Sequence, residues 1–243
     1  MWRRLSRQRR RRAVGRAYDM ALELARVLPP RARVLDVGCG SGFIAHHLSA
    51  MLDRGVVGLD LWERADAPIK YLRYDGERFP VPDRSFDAVL LCYVLHHAQD
   101  SRAVLGEVRR VLRGGGLAVV YEDIPLGWWD RFVCWTHHLR WRGRTGPCAF
   151  RREVEWRRQF GASGFEVVAE RQLSRWRNLA HPVSRRLYVL RSYRTAGTER
   201  WRQDRSPAEF VLGSSMNRPG AGRVNGYVAL KNSPLSYLDI IRR

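Results

Sequence analysis

The stretch Val34-Leu-Asp-Val-Gly-Cys-Gly-Ser-Gly-Phe43 constrains this chain more than any other. A short apolar strand-like run meets three glycines spaced two apart, and a helix-like segment follows. Glycine at 38, 40 and 42 lets the chain turn sharply and lets a ligand approach the backbone. The helix after the turn supplies free N–H groups at its N-terminus. Asp60 ends the next apolar run, and a carboxylate placed there can accept both hydroxyls of a ribose. Together the loop and the acid read as a nucleoside site. In the dinucleotide fingerprint, G-x-G-x-x-G, the third glycine packs the helix against the pyrophosphate. Here that glycine comes one residue early, and Phe43 stands in its place. The spacing therefore points away from NAD and towards an adenosine ligand whose tail carries no phosphate.

The rest of the first half alternates strands with helices. Ala13–Leu28 has a helical apolar stripe (Val14, Tyr18, Ala21, Leu22, Ala25) and stops at Pro29-Pro30. Strands are expected at 33–37, 56–60, 71–74, 86–93 and 117–121, and helices at 42–52 and 101–112. Ser101 is the expected cap of the second helix, and Gly114-Gly115-Gly116 its expected stop. Phe86–Tyr93 is apolar enough for a strand buried on both faces. This order predicts an α/β fold with a doubly wound, mostly parallel sheet. Further on, 126–142 and 151–162 read as helices, and 165–170 and 187–190 as the last two of seven strands. Residues 1–12 read as a basic arm, 13–191 as one domain, and 192–243 as a tail rich in Ser, Pro, Gly, Asn and Arg. Arg223-Val-Asn-Gly-Tyr-Val in that tail suits a small hairpin.

Composition bears on the partner. The net charge is +20, with 44 basic and 24 acidic residues. The excess lies at the two ends, because residues 17–130 are slightly acidic. Only Lys70 and Lys231 are lysines. A basic excess suits nucleic acid or an anionic membrane, and both stay open as partners. The longest uncharged apolar run, Ala88–Leu95, is far short of the ~20 residues that cross a bilayer. No secretory signal is visible. Cys39, Cys92, Cys134 and Cys148 form no CxxC or zinc spacing, so a reduced, cytoplasmic protein is expected.

Four pieces in register carry a resemblance: VLDVGCGSG, GLD ending at Asp60, YDGERFPVPDRSFD, and AVLLCYVLHHAQD followed by EVRRVLRGGG. Over about Ala32–Leu190 the chain resembles the class I S-adenosylmethionine-dependent methyltransferases, of the type that includes ubiquinone/menaquinone-biosynthesis enzymes. The resemblance implies a Rossmann-like methyltransferase fold with a helical cap inserted after the fifth strand. It implies S-adenosyl-L-methionine as cofactor, with Asp36, Gly38, Gly40 and Gly42 around the methionine part. Asp60 would hold the ribose and Leu61 lie against the adenine. Asp75 with Gly76 would meet the adenine amino group, and Cys92 and Tyr93 would border the sulfonium.

A sulfonium carries an already activated methyl group, so the cofactor brings the hard chemistry and the protein mainly aligns the acceptor. For a hydroxyl acceptor a base helps. Candidates at strand ends are His96, His97 and Asp123, with Glu122 beside them; Asp123 could instead cap the next helix. The histidine pairs 46–47, 96–97 and 137–138 are not expected to form a metal site, since adjacent side chains on a helix diverge. Trp128, Phe132, Trp135 and Leu139 share one helical face. Core packing against the sheet is the first reading of that face. A cap over an apolar or aromatic acceptor, or a membrane-surface contact, are the others. The D/N-P-P-Y/F segment, the Lys-Asp-Lys-Glu set and the Pro-Cys nucleophile of nucleic-acid methylation are absent from their places. The expected activity is methyl transfer to a small, apolar or aromatic molecule. An RNA-directed methyltransferase and a non-catalytic partner module are the alternatives.

Overall fold

The computed structural model describes residues 2–173 and 181–193. Seven strands and five helices follow in the order α1 (Trp2–Ala25), β1 (Val34–Val37), α2 (Phe43–Met51), β2 (Val57–Asp60), β3 (Lys70–Arg73), β4 (Phe86–Cys92), α3 (Ser101–Val111), β5 (Leu112–Asp123), α4 (Trp128–Thr145), α5 (Glu153–Ala162), β6 (Phe165–Leu173) and β7 (Arg185–Ser192). They form one sheet in the order β3-β2-β1-β4-β5-β7-β6. Only β7 runs antiparallel to its neighbours. This is the expected α/β, doubly wound arrangement. Strand order reverses between β1 and β4, and the crevice beyond the carboxyl ends of those strands is where such sheets bind ligands.

Period-2 alternation divides the core into two layers. Leu35, Val37, Val89 and Leu91 face one way, against Val104, Leu105 and Val108 of α3 and Trp156 and Phe160 of α5. Val34, Ala88, Leu90 and Cys92 face the other way, against Ala21 and Leu24 of α1 and Ala45 and Leu48 of α2. Burial on both faces is why the β4 segment is continuously apolar.

Several local expectations shift. The first helix begins at Trp2, so residues 2–12 continue it. Its inward face is Val14, Ala17, Ala21 and Leu24, while Tyr18 and Leu22 stay exposed. Asp100 caps α3 in place of Ser101, accepting from the Arg102 and Ala103 amides at 2.8 and 3.0 Å. Gly114–Gly116 do not stop that helix. They lie within β5, where the register slips against β4 between Phe86 and Ala88. The largest change concerns α4, whose Trp128, Phe132, Trp135 and Leu139 are 77, 50, 55 and 44% exposed. They do not pack against the sheet, whose two faces are covered by α3 and α5 and by α1 and α2. The tail from residue 194, including the expected hairpin, lies outside the described residues.

Candidate functional site

The glycine loop leaves β1 at the switch point. The Gly38 amide donates to the Leu59 carbonyl at 2.7 Å, which binds the loop to β2. Gly38 is left-handed (φ 67°), and a Cβ there would come within 2.4 Å of Val94 Cγ2. Gly40 (φ 53°) has open space where its Cβ would stand. The loop therefore presses its backbone against the end of β4 at one glycine and leaves room for a ligand at the next.

Three carboxylates flank this loop, each held differently. Asp36 on β1 is 1% exposed, and neither of its oxygens has a hydrogen-bond partner. Burial, with the Asp60 charge adding, pushes its carboxyl up to about 7. A buried carboxylate without a partner is costly unless a cation meets it. Asp60 at the end of β2 accepts from the Gly40 amide at 2.6 Å and the Leu61 amide at 2.7 Å. Asp75 is exposed and accepts from the Glu77 amide at 2.9 Å. That contact and one from the Arg78 amide hold its carboxyl below the usual range. Gly76 adopts φ 98°, and its missing Cβ would lie 3.5 Å from Leu61. Leu61 and Trp62 stand half-exposed beside Asp60 as an apolar rim. Cys92 closes the floor, its thiol pushed well up by burial and then by the charges of Asp36 and Glu122. Gly42 caps α2. All nine expected cofactor residues thus gather along the ends of β1, β2, β3 and β4.

The ends of β4 and β5 carry a second group. Tyr93 is left-handed (φ 61°), a conformation that costs a non-glycine residue about 1–3 kcal/mol and is found at functional sites. It turns the chain so that His96 and His97 point back over β5. His96 is 1% exposed and its Nδ1 meets Glu122 at 2.5 Å. Burial pulls its pKa down, but Glu122 overrides that and holds it above the ordinary value. His97 Nε2 lies 3.2 Å from His137 Nε2 of α4. Burial first, then the neighbouring imidazoles, bring His97 down to about 3 and His137 to about 4. Phe150 stacks on His96 at 4.6 Å.

Asp123 does not cap α4. It is buried between His181 at 2.8 Å and Arg185 at 3.1 Å, and Gly127 occupies the cap position. His137, Phe150, His181 and Arg185 were not anticipated. Each comes from a segment after β5, and the one available hint was the run of polar residues at the start of β7.

Residues 35–120 match the methyltransferase domain family. Over that stretch the chain is similar to S-adenosylmethionine-dependent methyltransferases. A sterol 24-C-methyltransferase, ERG6B of Gibberella zeae, is 35% identical over 138 residues, covering 49% of this chain and 36% of that protein. The 27-O-demethylrifamycin SV methyltransferase of Amycolatopsis mediterranei is 35% identical over 108 residues, covering 38% and 40%. The chain thus spans under half the length of these two relatives. Among solved structures, the Burkholderia thailandensis 1,6-didemethyltoxoflavin-N1-methyltransferase shares the fold, with a TM-score of 0.57 at 17% identity over 72% of this chain and 78% of that one. A Mesorhizobium loti S-adenosylmethionine-dependent methyltransferase does so with a TM-score of 0.55 at 22% identity, over 72% and 97%. S-adenosyl-L-methionine, the cofactor of this domain class, fits the residues present. Asp36 offers an unpaired carboxylate to a cationic ligand, and Gly40 leaves space at the loop.

Proposed function

We propose that this protein transfers the methyl group of S-adenosyl-L-methionine to a small, apolar or aromatic acceptor. The observation that carries the reading is Asp36, a fully buried carboxylate without a hydrogen-bond partner beside an open glycine loop. Bound there, the cofactor supplies a methyl group already activated on sulfur.

The chain's own residues bind, orient and exclude water. Asp36 meets the cationic methionine part. Asp60, with the Gly38–Gly42 loop tied to it, takes the ribose hydroxyls. Leu61 covers the adenine, with Asp75 and Gly76 at its edge, and Cys92 lies under the sulfonium. His96 and His97 border the acceptor side. Asp123 acts as a positioning residue, since its pairs with Arg185 and His181 fix the end of β5.

Support for the acceptor class comes from α4. Its half-exposed aromatic face suits an apolar molecule, and the relatives above are named for sterol and rifamycin substrates. The same face, with Arg131 on it, favours a lipid surface as the place where such an acceptor is met. No helix among the described residues is long and apolar enough to cross a membrane. A cytoplasmic protein that touches membrane only at its surface is the corresponding proposal.

The test is transfer of radiolabelled methyl from the cofactor to a sterol, a phenolic panel, and RNA at two salt concentrations. Label in the organic-soluble acceptors is the expected result. Label in RNA alone, falling steeply with salt as phosphate contacts require, would overturn the acceptor class. Cofactor binding without transfer to any acceptor would favour the partner-module alternative.

A further inference from the structure

The histidines at the end of β4 are brought together with one from α4. One ring nitrogen from each of His96, His97 and His137 lies within 4.8 Å of the other two. The sequence spacing concealed this, because 96 and 97 sit in a loop and the third ring arrives from 40 residues away.

The hydrogen bonds around the rings bear on which nitrogens face a ligand. Glu122 can only accept when ionised, so His96 Nδ1 is the donor, and Nε2 is the nitrogen at which a metal ion would take the place of a proton. That Nε2 is buried and has no hydrogen-bond partner. His97 Nδ1 lies 3.0 Å from Thr145 Oγ1, whose own hydrogen can go to the Trp141 carbonyl at 3.4 Å. With Thr145 accepting from His97, His97 Nε2 keeps its lone pair; the Cys148 thiol lies 3.4 Å from the same Nδ1. This Nε2 faces His137 Nε2 at 3.2 Å. At that distance the two nitrogens either share a hydrogen or stand on a common cation. An ion holding imidazoles at about 2.0–2.1 Å in tetrahedral geometry sets the nitrogens roughly 3.3–3.4 Å apart.

We infer that His96, His97 and His137 form a binding site for a divalent transition-metal ion of the zinc type, with Glu122 and Thr145 orienting the first two rings. Imidazole suits such ions. A carboxylate on the far nitrogen of a ligating histidine is the usual way its ring is oriented. Three histidines leave a fourth position for water or for an oxygen of the acceptor. That use of the fourth position rests on the methyl-transfer reading; binding of the ion does not.

The test uses the full chain, stripped with chelator, titrated with Zn²⁺ alone by calorimetry and with Co²⁺ by visible absorption. One ion per chain is expected, with a Co²⁺ spectrum of low coordination number. His137→Ala and His97→Ala should each weaken binding at least a hundredfold, Glu122→Gln by about ten- to a hundredfold, and His46→Ala, on the far pair, not at all. Circular dichroism and a thermal melt show that each variant is folded, and S-adenosylhomocysteine is titrated separately into the unaltered chain. Cofactor-product binding without zinc binding in the unaltered chain would overturn the metal site and leave the methyl-transfer reading standing. Zinc binding of unchanged strength in the His97→Ala/His137→Ala double variant would overturn it as well. Zinc binding lost in those variants, in a chain that ignores S-adenosylhomocysteine, would support the metal site and remove the methyl-transfer reading.

Discussion

The two sides of the cleft are built in different ways. On the cofactor side, Asp36, the glycine loop, Asp60 and Asp75 each sit at or just past the end of a successive parallel strand. Backbone amides hold Asp60 and Asp75 in place. On the acceptor side, His96, His97, His137, Asp123, His181 and Arg185 hold one another through side chains drawn from four separate segments. The first arrangement suits the proposed cofactor, a ligand common to many reactions. The second can change one segment at a time without disturbing the sheet.

Gly38→Val strikes the cofactor side where it has least tolerance. The new side chain meets Val94 and demands φ 67° of a β-branched residue. Loss of all measurable S-adenosylhomocysteine binding is expected, with a drop of about 3 kcal/mol or more in urea unfolding. Unchanged binding would break the contrast between the two sides.

Asp36→Asn separates function from stability. Folding raises this carboxyl to about 7, so the ligand-free protein binds a proton that the unfolded chain has released between about pH 4 and 7. Stability therefore falls as pH rises through that window, by an amount on the order of 4 kcal/mol. The amide removes this dependence. The variant should be more stable than the parent at pH 8 by roughly 1–4 kcal/mol, while cofactor binding weakens at least a hundredfold. Thermal melts of parent and variant at pH 5 and 8 isolate this effect, because the lowered histidines act alike in both. A parent–variant difference that is the same at both pH values would contradict the buried, unpaired carboxylate.

The smallest expected effect is on α4. Trp135→Ala removes a half-exposed side chain and should change unfolding by less than about 0.5 kcal/mol. It should raise the KM for an apolar acceptor while leaving the KM for the cofactor unchanged. Trp156→Ala in α5, fully buried, is the counterpart and should cost about 3–5 kcal/mol. Equal losses in the two variants would place α4 in the core.

What was legible in the sequence follows the same division. The strands, most helices and the glycine loop could be read, because each depends on apolar period or on glycine spacing within about ten residues; Leu61, Asp75, Gly76 and Cys92 came only from the family resemblance. The register slip at Gly114–Gly116 could not, since it is a property of the β4–β5 pairing. The helical period of α4 was correct, but which of its faces is buried depends on tertiary neighbours that local spacing does not show. The histidine cluster was hidden for a related reason. Its members are close only after Tyr93 turns the chain and α4 folds back over β5, and neither event leaves a mark at local spacing.

The measurement that bears most directly on the cofactor site is a calorimetric titration with S-adenosylhomocysteine, alongside NAD, on the full chain and on Asp60→Ala. Micromolar binding of S-adenosylhomocysteine, about −8 kcal/mol, no binding of NAD, and a strong loss in the variant are expected. Folded protein that takes up neither ligand, or that binds S-adenosylhomocysteine equally well without Asp60, would contradict the site described for β1 and β2.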